Sequence, residues 1–158
     1  MAASAFVLGV DVDRSGLGFV LTAQDGSVAA HLHRAHGDAA SDPQDWWRSA
    51  RAGMKELLRR ANIRAEQVRA IGLAGDSDGV VVVDKTGKVL APSVLGPDPA
   101  AEASVAAILA QVGPRTFLNL AGAPAHSGAA VVKLAQVRTT AKRAWHDLAH
   151  ALAPKDFL

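Results

Sequence analysis

The chain is predicted to fold as a mixed α/β domain: three antiparallel strands, then a strand parallel to one of them, with helices packed on the sheet. Two observations carry this. The stretch "FVLGVDVDRSGLGFVLTAQDGSVAA" (6–30) holds three apolar runs separated by two short turns rich in Asp, Ser and Gly, and turns that short join antiparallel neighbours. The run "VRAIGLA" (68–74) follows a helical stretch, and a strand reached through a helix usually returns parallel.

The elements follow in order. Residues 5–11 form a strand of apolar residues bounded by acids, and residues 17–23 repeat the pattern. Gln24-Asp25-Gly26 is a hairpin signal, since Gly accepts the positive φ of a tight turn. Residues 27–33 make the third strand. Ser41-Asp42-Pro43 opens a helix that runs through residue 61, with Ser41 or Asp42 as its cap and Trp47, Ala50, Met54, Leu57, Leu58 and Ala61 at helical spacing. Trp47 is expected against the sheet and Trp46 nearer the rim. Val68–Ala74 is the fourth strand.

"GVVVVDKTGKVLAPSVL" (79–95) is predicted to be a second hairpin turning at Asp84-Lys85-Thr86-Gly87. Asp98-Pro99 starts a helix to about Gln111, and shorter helices are expected near 114–120 and 129–136. A final helix is predicted over 138–152, with Trp145, Leu148 and Leu152 on one face. The segment 121–130 is the most loop-like.

Composition narrows the function classes. At 158 residues the chain suits a single domain, 1–158. A net charge of +2 favours neither nucleic acid nor anionic membrane as a partner. Without cysteine there are no disulfides or thiolate metal sites, and a cytoplasmic setting is favoured. Residues 1–5 lack a basic region of the signal-peptide kind.

A hairpin, a third antiparallel strand, a helix and a parallel strand is how a ribonuclease-H-like, or actin-like ATPase, N-terminal half begins. More specifically, the chain resembles the N-terminal domain of the FGGY carbohydrate kinases, most closely the xylulokinase branch. The residues that carry the resemblance are "FVLGVDVDRSGLGFVL", "DPQDWWRSA", "IGLAGDSDGVVVVDKTGKVLAPSVLGPD", "AGAPAHSG" with "KLAQVR", and "APKDFL", in the family's order and spacing. The resemblance implies ATP-dependent phosphorylation of a sugar such as D-xylulose, with ATP and Mg²⁺ as cofactors and a small-molecule sugar as partner.

By the same resemblance, Asp11, Arg14 and Ser15 fall on the phosphate-binding turn, and Asp11 on the metal position. Asp76, Ser77, Asp78 and Asp98 fall on sugar-contacting turns. Each turn departs from the family. The first runs Asp, any residue, Gly, Thr, Ser in the family, but Asp13 and Arg14 stand here at the Gly and Thr positions. A phosphate turn wants bare backbone N–H groups, and a carboxylate opposes phosphate unless a metal lies between; Arg14 is suited to offset this. The family's Ser-Gly-Gln-Met-His-Gly becomes Ala74-Gly75-Asp76-Ser77-Asp78-Gly79, and its Trp-Asn-Asp-Thr-Arg becomes Gly96-Pro97-Asp98-Pro99-Ala100. No residue matches the catalytic aspartate, which in the family lies on a strand beyond "APKDFL". The chain alone is therefore expected to be inactive, with no catalytic residue of its own.

Structural alternatives stand beside these readings. The turn at 11–16 can be a hairpin with solvated charges at its tip. Asp76–Asp78 can be an Asx turn, and Asp98 a helix cap. His31, His33 and His36 suit an exposed strand face as well as a metal, as do His146 and His150 on the final helix. Lys133 fits both the family's Lys-Leu pair and a solvated helix face. A different class of function is a non-catalytic actin-like module that self-associates, as a homodimer, or binds a partner or metabolite in the absence of a second kinase domain.

Overall fold

Strict alternation builds the first strand, β1 (Phe6–Asp13): Phe6, Leu8, Val10 and Val12 are buried, while Val7, Asp11 and Asp13 are exposed. The strand β2 (Gly16–Ala23) answers with buried Leu17, Phe19 and Leu21 and pairs antiparallel, Asp11 opposite Gly18 and Asp13 opposite Gly16. The strand β3 (Val28–Ala35) adds antiparallel to β2. In the computed structural model, which describes residues 5–37 and 41–158, these elements belong to one of two compact units: the residues up to Gly75 with Lys155–Leu158, and Asp76–Pro154.

The helix α1 (Pro43–Ala61) is opened by Asp42, whose carboxylate accepts the Gln44 N–H at 2.9 Å, with Pro43 in the first turn. It ends at Asn62 in the left-handed region, φ 53°. Its buried face is Pro43, Trp46, Ala50, Gly53 and Leu57. The two tryptophans are therefore the reverse of the expectation: Trp46 is fully buried and Trp47 is 38% exposed. The reason is helical phase, since 46, 50, 53 and 57 share one stripe and 47 stands a hundred degrees away.

The strand β4 (Val68–Gly75) pairs parallel to β1, giving the order β3-β2-β1-β4. The predicted mixed sheet is thus the one observed. Because α1 lies over β2 and β3, β4 is uncovered: Ile71 is 56% and Leu73 44% exposed.

In the second unit, the buried strand β5 (Val81–Val83) leads through α2 (Glu102–Val112), α3 (Pro114–Ala121), α4 (Ala130–Thr140) and α5 (Lys142–Asp147) to the strand β6 (His150–Leu152). A closing turn of helix, α6, spans Pro154–Phe157. Two expectations are corrected. The helix predicted over 138–152 is interrupted at Ala141, φ −123° and ψ 60°, and finishes as a strand. The hairpin predicted over 79–95 turns at Asp84–Gly87 as expected, the Gly87 N–H on the Asp84 carbonyl at 3.0 Å, but its pairing is shorter: an Asp84 N–H to Lys88 carbonyl bond, a Val83–Val89 bridge and a Leu90 N–H to Val82 carbonyl bond. The helix gives way for a physical reason: Val81–Val83 are wholly buried, the edge of their backbone opposite the hairpin needs a strand beside it, and β6 fills that need, Val81 opposite Leu152. His150 consequently leaves the helix, so His146 and His150 do not share a helical face.

Among the described residues, no helix is long and apolar enough to cross a membrane.

Candidate functional site

β1 and β4 finish in register, Val12 opposite Gly75. The turn after β1 and the chain after Gly75 therefore leave the sheet at the same end, as parallel strands require. Asp11 stands on the exposed face, in a row with Gly18 and His33, beside an apolar hollow of about 460 Å³ floored by Gly9, Gly18 and Gly72. Arg14 is exposed and makes no side-chain hydrogen bond among the described residues.

The turn itself is organised by Asp13. One carboxylate oxygen accepts the Ser15 N–H at 2.6 Å, the Ser15 hydroxyl at 2.7 Å and the Gly16 N–H at 3.1 Å. The Ser15 hydroxyl spends its one hydrogen on the bond to Asp13, so His33 Nε2, 3.0 Å from the Ser15 oxygen, is the donor of that contact. His36 Nε2 likewise donates to the Asp13 carbonyl at 2.7 Å. The Ser15 hydroxyl above all holds the Asp13 carboxyl below its ordinary value; desolvation opposes this, and the backbone bonds and the charge of His33 add to it.

Two other turns repeat this arrangement. Asp25 accepts the Ser27 N–H and hydroxyl at 2.9 and 2.6 Å, and Asp84 accepts those of Thr86 at 2.8 and 2.6 Å. The turn after β1 is therefore built as an Asx turn. The Ser15 N–H, the Ser15 hydroxyl and the Gly16 N–H, which a phosphate oxygen would use in this turn, are already bonded. As folded, the Ser15 donors are not open to a nucleotide phosphate, while the Asp11 and Arg14 side chains are exposed.

The second unit gathers the other candidates. Asp76 accepts the Asp78 N–H at 2.6 Å, closing an Asx turn, with Ser77 exposed at its tip. The Asp78 carboxylate packs on Gly128, where a Cβ would collide with it. Asp98 accepts the Ala100 N–H at 3.0 Å and so caps the short 3-10 turn Pro99–Ala101 before α2, while its own N–H bonds the Ser127 carbonyl at 3.4 Å. The loop His126–Gly128 thus brings Asp78 and Asp98 onto one support. Sequence reasoning missed His126 and Ser127; the "AGAPAHSG" stretch was the available signal. Lys133 is buried, not on a solvated face, and donates to the carbonyls of Val94 and Gly96 at 2.6 and 2.5 Å.

The chain matches the FGGY family of carbohydrate kinases, N-terminal domain, over residues 6–158. It belongs to that family. Among curated FGGY relatives, a xylulose kinase of Staphylococcus epidermidis is 26% identical over 96% of this chain and 31% of its own length. The xylulose kinase of Escherichia coli is 27% identical over 96% of this chain and 32% of its own. The fold superposes on the crystal structure of xylulose kinase from Bifidobacterium adolescentis with a TM-score of 0.85 at 20% identity, covering 98% of this chain and 33% of that one. The chain spans about a third of the length of these relatives.

Proposed function

We propose that this chain is the N-terminal domain of a xylulokinase-like kinase, whose reaction is ATP-dependent phosphorylation of a ketopentose such as D-xylulose, and that the chain by itself does not catalyse it. The observation that supports the reading is the unbroken family match over residues 6–158, with xylulose kinases among the relatives aligned along 96% of the chain. In this reading Asp76, Ser77, Asp78 and Asp98 meet the sugar, carboxylates accepting hydroxyl protons and Ser77 exchanging one. The chain offers no residue at the family's catalytic aspartate, and general-base catalysis alone is worth about 10²–10⁴ in rate. A coupled assay with D-xylulose and Mg-ATP, with Asp11→Ala as control, is expected to show no turnover. Turnover that disappears in the control would overturn the claim.

A second reading is a module that self-associates. It is favoured by β4, an uncovered edge with Ile71 and Leu73 exposed.

A further inference from the structure

We propose that Asp13 is a built-in acceptor that occupies the donors of the turn after β1 and so closes it to phosphate. The Ser15 N–H, the Ser15 hydroxyl and the Gly16 N–H converge on one oxygen at 2.6, 2.7 and 3.1 Å. Successive backbone donors of this kind make the concavity in which a phosphate oxygen is held. Here they hold a carboxylate supplied two residues away, which never has to be captured from solution. His33 Nε2 meets the Ser15 oxygen at 3.0 Å and so closes the remaining side of the same turn.

A phosphate approaching the turn must take its donors from an acceptor that is covalently tethered beside them. The turns at Asp25 and Asp84 show that Asp with a hydroxyl residue two positions on folds into this closed form repeatedly in this chain. The family's cofactor and this turn therefore disagree, and Asp13 is the cause. The inference rests on the turn's geometry and stands whichever sugar the protein takes.

The test is an amide-shift titration of the whole chain with pyrophosphate, then with Mg-ATP, at neutral pH. In the wild type, Ser15 and Gly16 should show no saturable shift. Asp13→Gly frees all three donors and should bind pyrophosphate at least about tenfold tighter, with shifts at those two amides. Asp13→Asn keeps a carbonyl oxygen that accepts the same bonds without the charge, and should remain silent. Saturable shifts at Ser15 and Gly16 in the wild type would overturn the proposal. So would binding by Asp13→Asn, which would make repulsion rather than donor occupancy the cause, and so would silence in a folded Asp13→Gly. If Asp13→Gly fails to fold, the wild-type and Asn titrations decide.

Discussion

Asp13 and Ser15 lock the turn after β1 onto itself, one carboxylate oxygen taking both the Ser15 N–H at 2.6 Å and the Ser15 hydroxyl at 2.7 Å. Asp25 with Ser27 and Asp84 with Thr86 do the same. All three carboxyls are held below their ordinary value of 3.8, in each case chiefly by the hydroxyl. A depressed folded value means stability that is present above the unfolded value and lost as pH falls through the folded one. The Asp13→Asn, Asp25→Asn, Asp84→Asn triple variant should therefore lose melting temperature less steeply than the wild type below pH 3.8. Parallel curves of melting temperature against pH would refute this.

Lys133 should matter more than its lone position suggests. Its ammonium satisfies two carbonyls, Val94 and Gly96, from inside the second unit. Lys133→Met keeps an apolar stem and removes the donors. Hydrogen bonds to charged groups are worth roughly 1.5–3 kcal/mol each, and a carbonyl left buried adds a penalty. A loss of about 2–4 kcal/mol is expected by urea unfolding; a loss within error of zero would show that water takes over both carbonyls.

At Gly53 two effects compete. Alanine is favoured over glycine in a helix by about 1 kcal/mol. A Cβ there would, however, drive into the Phe19 ring, with Arg34 Cδ at 3.0 Å. Overpacking a filled core costs typically 1–3 kcal/mol, so Gly53→Ala should destabilise on balance. Thermal unfolding checks the sign, and a raised melting temperature would mean that α1 shifts easily on the sheet.

The β4 edge is expected to pair with a second copy of the chain at micromolar concentration. Its apolar residues are exposed, and an edge strand offers unpaired N–H and C=O groups. Light scattering should report a dimer or larger, and Ile71→Lys should return it to monomer with little effect on folding, because Ile71 is 56% exposed. A wild-type monomer at high concentration would remove the self-association reading.

Much of the fold was legible because its signals are local. The alternation of β1 and β2, the Asp-Gly turn before β3, the Asp42-Pro43 start of α1 and the return to β4 are each written in a few neighbouring residues. The placing of Asp98 as a cap was readable for the same reason, since capping is a bond between residues two apart. The family's motifs could be found in the chain for the related reason that spacing is a one-dimensional property.

What only the tertiary structure decided was the choice between partners far apart in the chain. Residues 148–152 have helical spacing, but the open backbone of Val81–Val83 draws His150–Leu152 into a strand. Trp46 and Trp47 are chemically equal, and the sheet selects the one in phase with Ala50, Gly53 and Leu57. Lys133 reads as a surface residue until the carbonyls of Val94 and Gly96, nearly forty positions away, turn it inward.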